Sequence, residues 1–147
     1  MELIQKQRAK VTDHIRLENE HDWSAVPLTI VQDERAFYDF VPVGQFKGRE
    51  GVRQLYQTIA TAFPDLHIEI TAEYDVPGCS IREGFITGTH LGVYLGIPPS
   101  GLPIRIAIAV FFVFDQTSGE LLGERLYMDH GTALQQLQGK KIGAVAQ

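Results

Sequence analysis

The fold of this chain is decided by the segment ELLGERLYMDHGTALQQLQ, residues 120–138. Its first half alternates in the manner of a β-strand, which we place at Leu121–Met128. Its second half has helical spacing, so we expect a helix that begins near Thr132 and ends before Gly139. Asp129 lies at the junction. The segment therefore predicts a last strand, an acidic residue at the end of that strand, and a closing helix.

Length and charge limit the classes of function that the chain can have. It has 147 residues, enough for one domain with a hydrophobic core, and we expect a single domain over residues 1–147 with a frayed tail from about residue 140. The formal net charge is -5 and no cluster of Lys and Arg forms a basic patch. We therefore expect binding neither to nucleic acid nor to an anionic membrane.

The compartment is predicted from one cysteine and from the hydropathy pattern. Cys79 is the only cysteine, which excludes an internal disulfide and a cysteine-based zinc site. The longest apolar run, residues 106–114, is far shorter than the roughly 20 residues of a membrane-spanning helix. The first residues lack the apolar core of a signal peptide. We expect a cytoplasmic protein.

The order of elements predicts an α+β fold. Helices are expected over residues 2–19 and 48–63, because apolar residues recur there at helical spacing. A strand is expected within residues 29–39, and a four-stranded meander is expected over residues 66–128. Glycines inside the strand at residues 79–93 favour bending. We predict a cone-shaped α+β barrel, in which a bent antiparallel sheet wraps around the N-terminal helices and encloses an apolar pocket for a small molecule.

The strand at residues 102–114 predicts a partner. Both of its alternating faces are apolar, so both should be buried. One face can line the interior of the cone. The other needs a cover, and we expect a second copy of the chain, in a homodimer.

Several motifs together resemble a known family, the SnoaL-like polyketide cyclases (ester cyclases) of the nuclear transport factor 2-like superfamily. They are, in chain order, GREGVR at residues 48–53, AFPD at 62–65, GTHLG at 88–92, GIPPSG at 96–101 and GERLYMD at 123–129. The resemblance implies an enzyme without metal or organic cofactor, with an aspartate at the end of the last strand as general acid/base. That position is Asp129. The known cyclases also carry polar partners on the preceding strand, where this chain has only Ala, Ile, Val and Phe over residues 107–114.

The candidate catalytic residues are Asp129, Tyr127 and His90. In a regular strand Arg125, Tyr127 and Asp129 share a face, which could contribute to a pocket. Asp129 would then remove a proton next to a carbonyl, and the hydroxyl of Tyr127 would hydrogen-bond the developing enolate. His90, near the expected mouth of the cone, is a second acid/base candidate. Alternatively, Asp129 caps the final helix and His90 bonds only to backbone.

Charged residues on the strands allow further interpretations. Glu124 and Arg105 are candidate substrate-binding residues of the pocket. Alternatively, Glu124 forms a structural ion pair with Arg105 or Arg125. Two carboxylates would also suit an epoxide hydrolase of the same superfamily, which uses an Asp-Arg-Asp set. No Asp lies two residues from Arg105 to complete such a set, so this alternative ranks lower.

The first helix presents three residues at metal-binding spacing. His14, Glu18 and His21 recur at i, i+4 and i+7, but with no further ligand evident we interpret them as a solvated polar stripe and expect no metal. Glu18, His21 and Trp23 remain pocket candidates, because the end of this helix could close the cone. The aromatic residues Tyr38, Tyr56, Phe63, Tyr94 and Phe111 are expected in the core or the wall of the pocket rather than as catalytic groups.

The sequence thus predicts an enzyme that performs acid/base chemistry on an apolar, carbonyl-bearing, polyketide-like small molecule. The reaction would be a ring closure, or a related isomerisation or elimination. Two alternatives stay open: a non-catalytic protein that binds a hydrophobic ligand, and a dimerisation module whose cone is filled.

Overall fold

The computed structural model describes residues 2–140 and contains three α-helices, a short 3-10 helix and six strands in that range. The helices are α1 (Glu2–Asn19), the 3-10 helix (Val26–Thr29), α2 (Gly48–Ala62) and α3 (His130–Leu137). The strands are β1 (Phe37–Val41), β2 (Gly44–Lys47), β3 (His67–Val76), β4 (Cys79–Thr89), β5 (Pro103–Phe114) and β6 (Leu121–Met128).

The predicted elements agree closely with these bounds. The first helix, the middle helix and the meander β3 to β6 are confirmed. The early strand was predicted too near the N-terminus, because β1 begins only at Phe37. The hairpin partner β2 was missed, since its four residues include Gly44 and no apolar alternation. The predicted frayed tail lies outside the described residues from residue 141 onward.

The six strands form one open sheet in the order β2-β1-β6-β5-β4-β3. All neighbouring pairs are antiparallel except β1 with β6, which run parallel, so the sheet is mixed rather than fully antiparallel. The parallel pair places Tyr38 of β1 beside Glu124 of β6, and the next pair places Glu124 beside Phe112 of β5. Three inward-facing side chains from distant parts of the sequence thus become neighbours.

Glycine permits the curvature of the sheet at β4. The β3–β4 register shifts between Ile70 and Ala72, next to Gly84. A Cβ atom on Gly84 would lie 1.8 Å from the carbonyl oxygen of Glu69, so only glycine fits there. The expected bend therefore coincides with a β-bulge.

The core lies on the concave face of the sheet, under α1 and α2. Alternate residues of β5 from Ile104 to Phe114 point inward and are buried. On the other face Arg105 and Ala107 are exposed, and Phe111 is half-buried. The expectation that both faces of this strand are buried is therefore not met within one chain. None of the described helices is both long and apolar enough to cross a membrane.

Candidate functional site

A cavity opens inside the cone, between the helices and the concave face of the sheet. Its walls are predominantly apolar, with Ile15, Phe40, Ile59, Phe63, Ile86 and Phe112 among the lining side chains. Four polar residues also line it: Glu18, Glu124, Tyr38 and Tyr94. A few polar groups in an apolar cavity are typical of a site that binds and orients a small molecule.

A buried histidine joins the two glutamates of this cavity. His14 of α1 is fully buried, and its Nε2 lies 2.6 Å from Oε1 of Glu124 and 3.0 Å from Oε1 of Glu18. Glu18 is one helical turn from His14 on α1, whereas Glu124 comes from β6. The cluster of His14, Glu18 and Glu124 therefore ties the first helix to the inner face of the sheet.

The other nitrogen of His14 is a hydrogen-bond donor. Nδ1 lies 2.6 Å from Oγ1 of Thr29, and that hydroxyl donates its own hydrogen to the carbonyl oxygen of Val26 at 2.8 Å. Thr29 can therefore only accept from His14. With a hydrogen on Nδ1 and a carboxylate 2.6 Å from Nε2, the ring is arranged as an imidazolium that donates from both nitrogens.

Electrostatics support a charged His14. Burial alone would lower its pKa, but the charges of Glu124 and Glu18 and their hydrogen bonds outweigh burial and raise the pKa to about 10. Burial raises the pKa of Glu18, although the positive charge of His14 opposes that rise. Glu18 therefore holds a proton more strongly than an exposed glutamate does.

The two glutamates differ in how many of their oxygens are occupied. Glu124 uses Oε1 for His14 and accepts a hydrogen bond from the Tyr56 hydroxyl on Oε2 at 2.8 Å. Glu18 uses Oε1 for His14, and its second oxygen has no hydrogen-bond partner among residues 2–140. Only Glu18 therefore has a carboxyl oxygen available to a bound molecule.

The same cluster has the donor types of a metal site. The nearest ligand atoms of His14, Glu18 and Glu124 all lie within 4.8 Å of one another. A cation at this point would need the Nε2 lone pair, which the ring has only after losing its proton. The raised pKa of His14 opposes that loss, so a proton competes with any metal ion.

The structure places the predicted catalytic residues outside the cavity. Asp129 is exposed and caps α3: its carboxylate accepts hydrogen bonds from the backbone N–H of Thr132 at 3.1 Å and from the Thr132 hydroxyl at 2.6 Å. These hydrogen bonds hold the pKa of Asp129 below its usual range, the reverse of what a general base near neutral pH needs. These contacts are those of a helix N-cap, which was the alternative interpretation of Asp129.

The prediction of which face of β6 points into the cavity was wrong. Glu124, Leu126 and Met128 line the cavity, whereas Tyr127 lies on the outer face with 43% of its surface exposed. There it packs edge-to-face against Phe111, with ring centroids 5.7 Å apart. The period of the strand was predicted correctly, but its inner face is the one that carries Glu124.

His90 is buried but does not line the cavity. Its Nδ1 accepts a hydrogen bond from the backbone N–H of Ser100 at 3.1 Å, and its ring packs on Phe63 with centroids 5.7 Å apart. Its Nε2 has no partner among the described residues. These contacts fix the loop that carries Tyr94, which is the one aromatic residue of this loop on the cavity wall.

The remaining predicted pocket residues divide in the same way. Glu18, Glu124 and Tyr94 line the cavity, whereas Arg105, Phe111, His21 and Trp23 do not. Arg105 is exposed and pairs with Glu69 at 3.5 Å. Nε2 of His21 lies 2.8 Å from the carbonyl oxygen of Leu66, and the His21 ring stacks on Trp23. This pair therefore packs at the C-terminal end of α1 and does not line the cavity.

His14 was predicted as a surface residue, and Tyr38 and Tyr56 were expected only in the core or the wall of the pocket, so none of the three was predicted to take part in the chemistry. The expected solvated stripe is wrong for His14 and Glu18, which are both buried, and Glu124 is the further acidic partner that was not evident. One signal was present: the buried residues of α1 are Gln7, Val11, His14 and Glu18, a helical stripe in which three of four members are polar. Nothing in the local sequence pattern indicated that Glu124 of β6 would be the partner of His14.

The charge on His14 predicts how stability depends on pH. Its pKa in the folded protein, about 10, lies above the ordinary value of 6.5. Its contribution to stability is therefore fully present below about pH 6.5 and is lost as the pH rises through about 10. We expect the free energy of unfolding, measured by urea denaturation, to fall over this range by at most about 1.4 kcal/mol per pH unit.

The matched control replaces an exposed histidine. His67→Gln should keep the same pH dependence, because His67 lies on the surface and outside the cluster. NMR of the His14 ring should show both nitrogens protonated at neutral pH. A neutral His14 ring at pH 7, with a free energy of unfolding that does not change above that pH, would contradict the charge assignment.

Comparison with known proteins places the fold and the family. Comparison with curated protein sequences finds no significant match. Among solved structures, a candidate SnoaL-like polyketide cyclase from Jannaschia sp. CCS1 superposes with a TM-score of 0.81 at 17% identity, covering 95% of this chain and 96% of the other. IdmH of Streptomyces antibioticus, a candidate polyketide cyclase, gives a TM-score of 0.70 at 19% identity, covering 90% and 98%.

A third similar structure is SalBIII, an epoxide hydrolase/cyclase-like enzyme of pyran ring formation in the polyether salinomycin. Its TM-score is 0.72 at 18% identity, and the match covers 87% of this chain and 94% of the other. These likenesses confirm the predicted cone-shaped α+β fold. The family model of SnoaL-like polyketide cyclases matches residues 8–137. The chain therefore belongs to the SnoaL-like polyketide cyclase family.

Proposed function

We propose that this protein is a cyclase- or isomerase-type enzyme that moves a proton next to a carbonyl of an apolar small molecule, with Glu18 as the acid/base. The observation that carries the proposal is the buried cluster of His14, Glu18 and Glu124 in the wall of an apolar cavity. Glu18 takes the place of Asp129, because it lines the cavity and has a free carboxyl oxygen. No separate cofactor is needed for such a proton transfer.

The surroundings of Glu18 suit a general base. Burial raises its pKa, so that its carboxylate is a stronger base than an exposed glutamate. Glu18 can remove a proton from the carbon next to a carbonyl and return it to another atom of the same molecule. Such a transfer is the shared step of an aldol ring closure, an isomerisation and an elimination.

His14, Glu124 and Tyr56 act as positioning residues. The imidazolium holds one oxygen of Glu18 at 3.0 Å, which orients the other oxygen toward a ligand. Glu124 offsets the positive charge of His14, and Tyr56 fixes Glu124 through a 2.8 Å hydrogen bond.

The proposal predicts catalysed exchange of hydrogen for deuterium next to a ketone. We expect the wild-type protein to accelerate exchange at the methyl group of acetophenone in D₂O, followed by proton NMR. Glu18→Gln keeps the shape of the side chain but cannot accept a proton, so the rate should fall by about 10²- to 10⁴-fold. Glu20→Gln, which alters an exposed glutamate of the same helical region, should leave the rate unchanged.

The variant Asp129→Asn distinguishes Glu18 as the base from Asp129, the base predicted from the sequence. If Glu18 is the base, the Asp129 variant keeps the rate within about twofold, since Asn can still cap α3. A large loss in Asp129→Asn together with full activity in Glu18→Gln would restore Asp129 as the base. Wild-type protein that exchanges acetophenone no faster than buffer would leave the protein as a binder.

Two alternatives have specific support. The predominantly apolar cavity also suits a non-catalytic protein that holds a hydrophobic ligand. The arrangement of two carboxylates around one cation resembles the charge pattern of an epoxide hydrolase, with His14 in the place expected for an arginine. In that case Glu18 would give its proton to the epoxide oxygen as a C–O bond breaks, and a water molecule would add to that carbon and return a proton to Glu18. The protein would then hydrolyse styrene oxide to its diol rather than exchange a ketone.

We also propose that the protein is a homodimer that uses the outer face of the sheet. Phe111 and Tyr127 pack together on this face and are only partly covered within one chain. Ala107 and Ala109 beside them leave a flat surface that a second copy can cover. The cytoplasmic location stays a prediction.

Sedimentation equilibrium over a concentration series tests the dimer. We expect a wild-type dimer, and a Phe111→Asp monomer, because a charge cannot be buried at an apolar interface without a partner. Leu134→Asp, on an exposed position of α3, should remain dimeric. A wild-type protein that is monomeric throughout the series would refute the proposed assembly.

A further inference from the structure

Two buried tyrosines on the cavity wall have free hydroxyl groups. Tyr38 of β1 is 5% exposed and Tyr94 is 7% exposed, and both line the cavity. Neither hydroxyl has a hydrogen-bond partner among residues 2–140. Neither is fully enclosed by protein, in contrast to Nε2 of His90. Buried polar groups in folded proteins almost always have a partner, so these two donors are available to something that enters the cavity.

A third buried tyrosine shows the contrast. Tyr56 is also buried, but its hydroxyl donates to Glu124 at 2.8 Å and lies 3.1 Å from His14. It therefore belongs to the charged cluster and is not free for a ligand. Of these three buried phenols, one is used inside the protein and two are left facing the cavity.

Both free phenols are held in place by rigid surroundings. Tyr38 is paired with Glu124 across the parallel strands and packs edge-to-face on Tyr56, with centroids 5.7 Å apart. Tyr94 packs on Phe63 at 5.1 Å, and it exchanges two backbone hydrogen bonds with Ile97 across a tight turn. Donors that are fixed before the ligand arrives bind a developing charge without reorganisation.

The two phenols stay protonated at physiological pH. Burial raises the pKa of Tyr94 to about 12. Burial also raises the pKa of Tyr38 well above its usual range, with further contributions from the charges of Glu124 and Glu18 and from Tyr94 itself. Both phenols line the same cavity as neutral hydrogen-bond donors.

We propose that Tyr38 and Tyr94 together bind one carbonyl oxygen of the substrate and hold the negative charge that develops on it. The inference rests on the proposed function, and it deepens that function by assigning the two side chains that hold the carbonyl oxygen of the substrate. Glu18 takes the proton from that carbon. The C–H electron pair becomes the carbon–carbon double bond of the enolate, and the carbonyl π pair moves to the oxygen between the two phenols.

Infrared spectroscopy of a bound ketone tests the two hydrogen bonds without turnover. Acetophenone carrying a ¹³C-labelled carbonyl is the probe, and its stretching frequency falls when the oxygen accepts hydrogen bonds. In the wild-type protein we expect a frequency well below that in hexane. In Tyr38→Phe and in Tyr94→Phe it should move back toward the hexane value, further in the double variant, and each change should weaken binding by about three- to tenfold.

The matched control is Tyr74→Phe, which removes the same hydroxyl from a tyrosine that is 54% exposed on β3. It should leave both the frequency and the affinity unchanged. A wild-type frequency equal to that in hexane, frequencies unaltered by the Phe variants, or no acetophenone binding at millimolar concentration would each overturn the proposal.

This test is independent of the acid/base assignment. A shifted carbonyl band in a protein that does not exchange acetophenone would keep the oxygen site and reject the proposed catalysis. Exchange without a shifted band would keep Glu18 as the base and reject the role of the two tyrosines.

Discussion

The architecture of the site depends on one buried ion cluster, in which the His14 imidazolium lies between Glu18 and Glu124. A charge taken out of water is tolerated only when it is paired and hydrogen-bonded, and removing one partner of a buried pair typically costs about 3–5 kcal/mol. Glu124 is on the last strand of the sheet, whereas His14 and Glu18 are on the first helix. The cluster therefore fixes how α1 lies across the cone.

The same cluster determines what the cavity can do. The positive charge of His14 offsets one carboxylate, and burial makes the other hold a proton more readily. Because Glu124 is engaged by His14 and Tyr56, Glu18 is the group left to act on a ligand. Tyr38 and Tyr94 add two neutral donors to the same cavity. A base and a pair of donors in an otherwise apolar space are the groups that enolate chemistry requires.

The sequence predicted the frame of the molecule better than it predicted the site. Helical spacing and alternation located α1, α2 and β3 to β6, because each of these elements is long and has a regular apolar pattern. The inner face of β6 was predicted wrongly because both faces of that strand carry charged or polar residues as well as apolar ones. The choice is made by neighbours far along the chain, above all by the parallel pairing of β1 with β6.

The buried polar residues of α1 were missed for a related reason. His14 and Glu18 look like surface residues when the helix is considered alone, and only the position of Glu124 explains why they can be buried. Asp129 was favoured by its place at the end of the last strand, but the start of α3 directly after it turns its carboxylate to Thr132. Family resemblance predicted the fold, while the site depends on side-chain partners that local patterns do not contain.

The location of the site is tested most directly by a crystal structure of the wild-type protein with acetophenone bound. We expect the ketone to occupy the interior of the cone, with its oxygen between the hydroxyls of Tyr38 and Tyr94 and its methyl carbon facing the free oxygen of Glu18. A ketone bound beside Asp129 and Tyr127 on the outside of the sheet, with the cavity empty, would contradict it.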